Sequence, residues 1–151
     1  MKFLSLGSSI LAVALLDFST KFAAQNLLQE PLNFGWGFGL EFVFNPNLAF
    51  GVPAPFWLII VLACVALIML GFLFRQSEPK TKLLALSLIL IFGGAVGNLG
   101  ERILFGAVTD FLKIPFLPNF NCADTAIFLG ILLYFVNFFK ISAIKNLADC
   151  D

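Results

Sequence analysis

The sequence contains no histidine. That absence removes Ser-His-Asp and Cys-His nucleophilic mechanisms, and with them the usual zinc sites. Cysteine occurs three times, too rarely and too scattered for a disulfide framework. Charge is scarce as well. Asp, Glu, Lys and Arg make up 12% of the 151 residues, about half the ~25% of an average soluble domain. Nine basic and nine acidic residues cancel, so no overall field recruits nucleic acid or an anionic surface. What is abundant is apolar: 60% of the chain, including 20 phenylalanines. A water-soluble globule could not hide this much apolar surface behind 18 charges. Disorder is excluded by the same composition. The natural solvent is a lipid bilayer, and the length suits one domain over 1–151.

Four apolar segments predict four transmembrane helices: Phe3 to about Ala24, Pro55–Phe74, Leu83–Gly100 and Asp124–Phe139, the last closed by Lys140. Each approaches the ~20 residues that cross ~30 Å of hydrocarbon. Phe3–Leu16 has the length of a signal-peptide core, but no A-x-A site follows, so it is read as a span. Lys2, Arg75, Lys80, Lys82, Lys140 and Lys145 fall on one side, Arg102 and Lys113 on the other. The positive-inside rule then puts both termini in the cytoplasm and residues 25–54 and 103–123 outside. In the first outer connection Phe34, Trp36, Phe38, Leu40, Phe42 and Phe44 alternate with Gly35, Gly37, Gly39, Glu41 and Val43. This period of two predicts a small β-like ribbon between helices one and two with one apolar face. The ribbon is either a simple anchor at the membrane surface or a platform that guides a membrane-attached substrate.

Ionisable groups within spans are expensive and tend to be functional. Asp17 and Lys21 are four apart and share one face of helix one. They are open to two interpretations, a self-neutralising packing pair or part of a site. Asp17 lies roughly 21 Å up its helix and Asn98 roughly 22 Å up helix three, at 1.5 Å per residue. Asp124 opens helix four at the same level. Polar groups from three helices are therefore expected to meet near the outer leaflet. Asn98 and Arg102 again share a face. Asn121 and Asp124 have the spacing of an N-cap with an acidic third residue, which does not preclude a catalytic acid in a first turn.

Without histidine or a metal cluster, hydrolysis needs another activator of water. Two carboxylates sharing one proton suffice, because neighbouring like charges drive their pKa values apart. Asp110 and Asp124, both reachable from the outer side, are the candidates. Two other classes compete. One is a non-enzymatic four-helix protein using Asp17, Lys21 and Arg102 as an ion or docking relay. The other is a Ser-Lys protease using Ser19 or Ser87 with Lys21.

Five segments, in order, resemble the lipoprotein signal peptidase (signal peptidase II) family, bacterial membrane aspartic proteases. Asp17-Phe18-Ser19-Thr20-Lys21 is similar to its D-x-x-x-K element. Asn45-Pro46-Asn47-Leu48-Ala49-Phe50-Gly51 is similar to N-x-G-x-A-F-G. Gly93-Gly94-Ala95-Val96-Gly97-Asn98 with Arg102 is similar to G-G-A-x-G-N-x-x-D-R. Val108-Thr109-Asp110-Phe111 is similar to V-x-D-F, and Phe120-Asn121-Cys122-Ala123-Asp124-Thr125-Ala126-Ile127 to F-N-x-A-D-S-x-I. The resemblance implies an all-α membrane protein of four spans with Asp110 and Asp124 as catalytic dyad. Asn98, Arg102 and Asn121 would orient carboxylates or substrate backbone, and Asp17, Lys21 and Asn45 would complete the polar layer. It implies a lipidated prolipoprotein substrate cleaved before its diacylglyceryl-modified cysteine, no metal or organic cofactor, inhibition by globomycin, and residence in the bacterial cytoplasmic membrane. Three departures stand out. Glu101 replaces the usual Asp, keeping the charge but moving it by a methylene. Asn47 replaces a Gly, and the segment from Asp110 to Asp124 is short.

Overall fold

The computed structural model describes residues 3–48, 52–76 and 81–148. Four helices and three strands follow the order α1 (Phe3–Leu27), β1 (Leu32–Gly35), β2 (Phe38–Asn45), α2 (Phe56–Gln76), α3 (Lys82–Phe105), β3 (Val108–Lys113) and α4 (Cys122–Ala148). All four helices are long and apolar enough to cross a membrane. The helices run longer than the uncharged segments suggest. α3 continues through Glu101 and Arg102 to Phe105 and stops at Gly106, whose left-handed φ of 78° lets its N–H reach the Arg102 carbonyl at 2.8 Å. Charge does not end the span, because both side chains turn inward to partners. α1 likewise passes Ala24 to include Gln25. Ala49-Phe50-Gly51 and residues 77–80 of the short polar connection lie outside the described residues.

α3 is the centre of the bundle, packed between α1 and α4, with buried Leu84, Leu88 and Ile89 among its core. Small residues permit the close approach. A Cβ on Gly94 would strike the Ala123 carbonyl of α4, and one on Gly97 would lie 2.6 Å from the Asp17 carboxylate. α2 rests on α3 at the periphery, and Ile59 is its one buried residue.

The expected ribbon is present as a hairpin. Gly35 (φ 88°), Trp36 (φ 58°) and Gly37 (φ 85°) all take positive φ, so the chain reverses within an unbroken alternation. β1 and β2 pair antiparallel through this turn, and Trp36 protrudes at its tip. A third strand, β3, comes from the connection between α3 and α4 and pairs antiparallel with β2, giving the order β1-β2-β3. Its partner lies some 65 residues upstream in sequence, so local pattern carries no sign of it. The β2–β3 register slips between Leu40 and Val43, a bulge that places Val43 opposite Asp110. Lys113 and Glu41 bridge the two strands at 2.6 Å, which holds the Glu41 carboxyl below its usual range. Asn47 follows β2 in a turn that needs no positive φ; its N–H is bound by the Asn45 side chain at 3.0 Å. The alternating helices put both sheet-bearing connections at one end of the bundle.

Candidate active site

The polar residues of three helices converge beneath the sheet. On α1, Asp17 and Lys21 are both about 1% exposed and form an ion pair of 2.7 Å. Lys21 Nζ also lies 3.1 Å from Glu101 Oε2 and donates to Asn98 Oδ1 at 2.7 Å, both on α3. Asp17 uses its other oxygen to accept from the Ala123 N–H at 2.8 Å, fastening α1 to the first turn of α4. The pair is thus neither isolated nor merely self-neutralising: it joins all three packed helices.

Asn121 is fully buried and caps α4. Its Oδ1 accepts from Asp124 N at 2.9 Å, while Asp124 Oδ2 faces Asn121 N at 3.4 Å, the reciprocal arrangement of a capping box. The cap has a second consequence. With Oδ1 committed to the helix, Nδ2 must turn outward, and it donates to Asp110 Oδ1 at 2.7 Å and Asn98 Oδ1 at 3.2 Å. The same logic orients the other two amides. Asn98 Oδ1 is occupied by Lys21 and Asn121, so its Nδ2 donates to Asp124 Oδ1 at 2.8 Å. Asn45 Oδ1 is occupied by the Asn47 N–H, so its Nδ2 donates to Asp110 Oδ2 at 2.9 Å. Three asparagines from three elements therefore aim donors at two carboxylates, and Asn98 and Asn121 link Asp124 to Asp110.

The two carboxylates differ in setting. Asp110 is 3% exposed, whereas Asp124 is half-buried at the head of α4. Burial pushes the Asp110 carboxyl above the ordinary carboxylate range. The Asn45 donor opposes this, the nearby charge of Asp124 adds to it, and the Asn121 donor opposes it again. Arg102 lies within electrostatic reach of Asp110, Asp124 and Glu101. One of its terminal nitrogens donates to the Asn47 carbonyl at 3.1 Å, and its buried Nε has no hydrogen-bond partner among the described residues. Four carboxylates (Asp17, Glu101, Asp110 and Asp124) here face two cations, Lys21 and Arg102.

All eight residues singled out from sequence sit in this layer. Two that were not, Gln25 and Thr109, join it through Glu101. Gln25 lies one turn beyond Lys21 on the same stripe of α1, a signal that is visible only when the helix runs past Ala24. The Ser-Lys alternative has no geometry: Ser19 donates to Leu15 O and Ser87 to Leu84 O, each within its own helix. Among the described residues no group of three or more His, Cys, Asp or Glu is arranged to hold a metal ion.

Four helices closing on two carboxylates, one buried and one half-buried, give the architecture of a polytopic membrane protein, and comparison with known proteins identifies the family. A family profile described as Signal peptidase (SPase) II matches residues 9–140. A lipoprotein signal peptidase of Aquifex aeolicus is 33% identical over 153 residues, covering 94% of this chain and 90% of that protein. One of Pelotomaculum thermopropionicum is 36% identical over 129 residues, covering 82% and 84%. One of Moorella thermoacetica is 44% identical over 98 residues, covering 64% of this chain and 65% of that protein. A bacterial membrane enzyme solved in meso superposes with a TM-score of 0.84 over 95% of this chain and 93% of its own, at 21% identity, which establishes the shared fold. The chain belongs to the signal peptidase II family.

Proposed function

We propose that this protein is an aspartic endopeptidase that removes signal peptides from diacylglyceryl-modified prolipoproteins, with Asp110 and Asp124 as its catalytic pair. The observation that carries the proposal is the pair itself: carboxylates from β3 and α4, tied together by Asn98 and Asn121 and each supplied with amide donors. Asp124, in the first turn of α4, stands at the positive end of the helix dipole and accepts from the Asn98 side chain, which suits it to the part of general base. Asp110, buried and beside that carboxylate, is the better holder of the shared proton.

Water held between them loses a proton to the ionised carboxylate as it attacks the scissile carbonyl. The protonated partner donates to the carbonyl oxygen. The resulting gem-diol collapses when the proton now on the base passes to the leaving amine and one hydroxyl returns its proton to the other carboxylate, which restores the shared proton of the pair. Arg102, a fixed cation within electrostatic reach of both carboxylates, is suited to a backbone carbonyl of the substrate. Asn45 and Asn121 hold Asp110 in place, and Asp17 and Lys21 hold Asn98 and the head of α4.

Placing the two sheet-bearing connections outside, as the basic residues favour, sets this chemistry at the outer leaflet with both termini in the cytoplasm. The lipid of the substrate then stays in the bilayer while its peptide bond reaches the dyad, and acyl-chain binding positions the bond. Globomycin is the inhibitor that the family resemblance implies. The test is cleavage by the purified protein in bilayers, comparing a diacylglyceryl-modified prolipoprotein with its unmodified precursor. Signal-peptide release at least about 10²-fold faster from the lipidated form is expected. Equal rates on both would overturn the assignment of substrate.

A further inference from the structure

β3 has two working faces. Alternation sends Asp110 towards Asn45 and Asn121, and sends its neighbour Thr109 the opposite way, towards α1 and α3. Thr109 is completely buried there. Its N–H donates to Glu101 Oε2 at 3.0 Å and its hydroxyl to Glu101 Oε1 at 2.6 Å. Gln25 Nε2 donates to Thr109 Oγ1 at 2.6 Å and to Glu101 Oε1 at 3.2 Å. With Lys21 as the fourth donor, every acceptor direction of the Glu101 carboxylate is in use. Such a fully satisfied buried network has one arrangement rather than several.

This network grips the strand one residue from Asp110. Past Asp110 the β2–β3 ladder is interrupted by the bulge beside the Val43–Asp110 pair, and the strand is held instead by Phe120, whose carbonyl accepts from Phe111 N at 2.9 Å and Leu112 N at 2.8 Å. Adjacent Cα atoms are about 3.8 Å apart through a stiff peptide, so a shift of Thr109 passes to Asp110 almost undiminished. A displacement of about 1 Å at a reacting group can cost about 10²-fold in rate.

We propose that Gln25 and Thr109, acting through Glu101, are positioning residues that lock β3 against α1 and α3 and so set the Asp110 carboxylate opposite Asp124. This rests on the dyad assignment above. Neither residue belongs to the reacting groups; each acts through the backbone of β3. Gln25 also lines two apolar clefts, of about 380 and 230 Å³, beside Phe105. A role in holding the lipid of the substrate would therefore appear in KM, whereas a positioning role appears in kcat.

The test measures kcat and KM for a diacylglyceryl-modified lipopeptide with the purified protein in lipid, for Thr109→Val, Thr109→Ser and Gln25→Leu. Thr109→Val and Gln25→Leu are expected to lower kcat about 10- to 100-fold with KM changed less than about 2-fold. Thr109→Ser, which keeps the hydroxyl, is expected to retain kcat within about 3-fold of the parent. Parental kcat in Gln25→Leu, a loss confined to KM, or failure of Thr109→Ser to retain activity would overturn the proposal. If Thr109→Val does not fold, Gln25→Leu and Thr109→Ser decide. Asp124→Asn is measured alongside. If it stays active, the dyad assignment fails; if it is inactive while Gln25→Leu keeps parental kcat, the positioning role alone fails.

Discussion

Helices α2 and α3 are neighbours of similar length, yet they are different kinds of object. α2 has a mean hydropathy of 3.0 over its best window, α3 one of 2.0. α2 buries one residue; α3 buries eight, among them Ser87, Asn98 and Glu101. The more apolar helix is the less buried one. In a bilayer this is the sensible arrangement, since lipid solvates an apolar helix as well as protein does. Burial on α3 thus takes in the groups that lipid cannot solvate, Ser87, Asn98 and Glu101, beside an apolar core of Leu84, Leu88 and Ile89. The polar layer is expensive on its own, and it persists because Lys21, the three asparagines and Glu101 supply a partner for nearly every donor and acceptor.

That contrast can be broken or sharpened by substitution. The largest stability effect is expected from Lys21→Met. Removing this cation leaves Asp17 and Glu101 buried without their shared partner, and loss of one member of a buried pair costs about 3–5 kcal/mol. Unfolding of the purified protein in mixed micelles reads it. A loss below about 1 kcal/mol would mean that water reaches the layer. Gly94→Ala comes next, at about 1–3 kcal/mol, because the new methyl meets the Ala123 carbonyl and must part α3 from α4. The same denaturation measurement checks it.

Asp110→Asn should alter the pH dependence of stability, on top of a constant loss because its amide nitrogen faces the Asn45 or Asn121 donor. Burial raises the Asp110 carboxyl, so between its unfolded and folded pKa values the folded state holds the proton that the unfolded state has lost. Stability then falls as pH rises through the folded value. The amide cannot ionise, so the melting temperature of the variant relative to the parent should rise between acid and pH 8. A relative melting temperature that falls over that range would contradict the sign. The smallest effect is expected on α2. Ile68, 72% exposed, should accept Leu with a change within about 0.5 kcal/mol; a change of several times that size would mean that α2 has a packed partner on this face.

Much of this architecture is legible in the order of the residues alone. The spans follow from composition, and the shared depth of Asp17, Asn98 and Asp124 follows from counting residues along three helices. The i,i+4 pairs Asp17–Lys21 and Asn98–Arg102 place side chains on common faces, and the Asn121–Asp124 spacing is realised as a cap. The features that the residue pattern does not reveal share a physical cause: they depend on long-range pairing or on where a helix stops. β3 is six residues whose partner lies far upstream, and nothing local distinguishes it from a loop. The hairpin tip hides within a perfect alternation, because Trp36 takes a positive φ that no pattern of hydrophobicity reports. Gln25 stands just past the apolar run that marks α1. Glu101 reads as a span terminator, and only the fold brings Thr109 and Gln25 to satisfy it inside the bundle.

Asp110 and Asp124 are proposed to work as one unit on a lipid-anchored peptide. The most direct test is signal-peptide release from a diacylglyceryl-modified prolipoprotein by purified, folded Asp110→Asn and Asp124→Asn proteins in bilayers. An amide can neither take the proton of water nor exchange roles with its partner, so each single substitution should lower cleavage by about 10³-fold or more, and the double substitution should add little further. Near-normal cleavage by either folded variant would contradict the account.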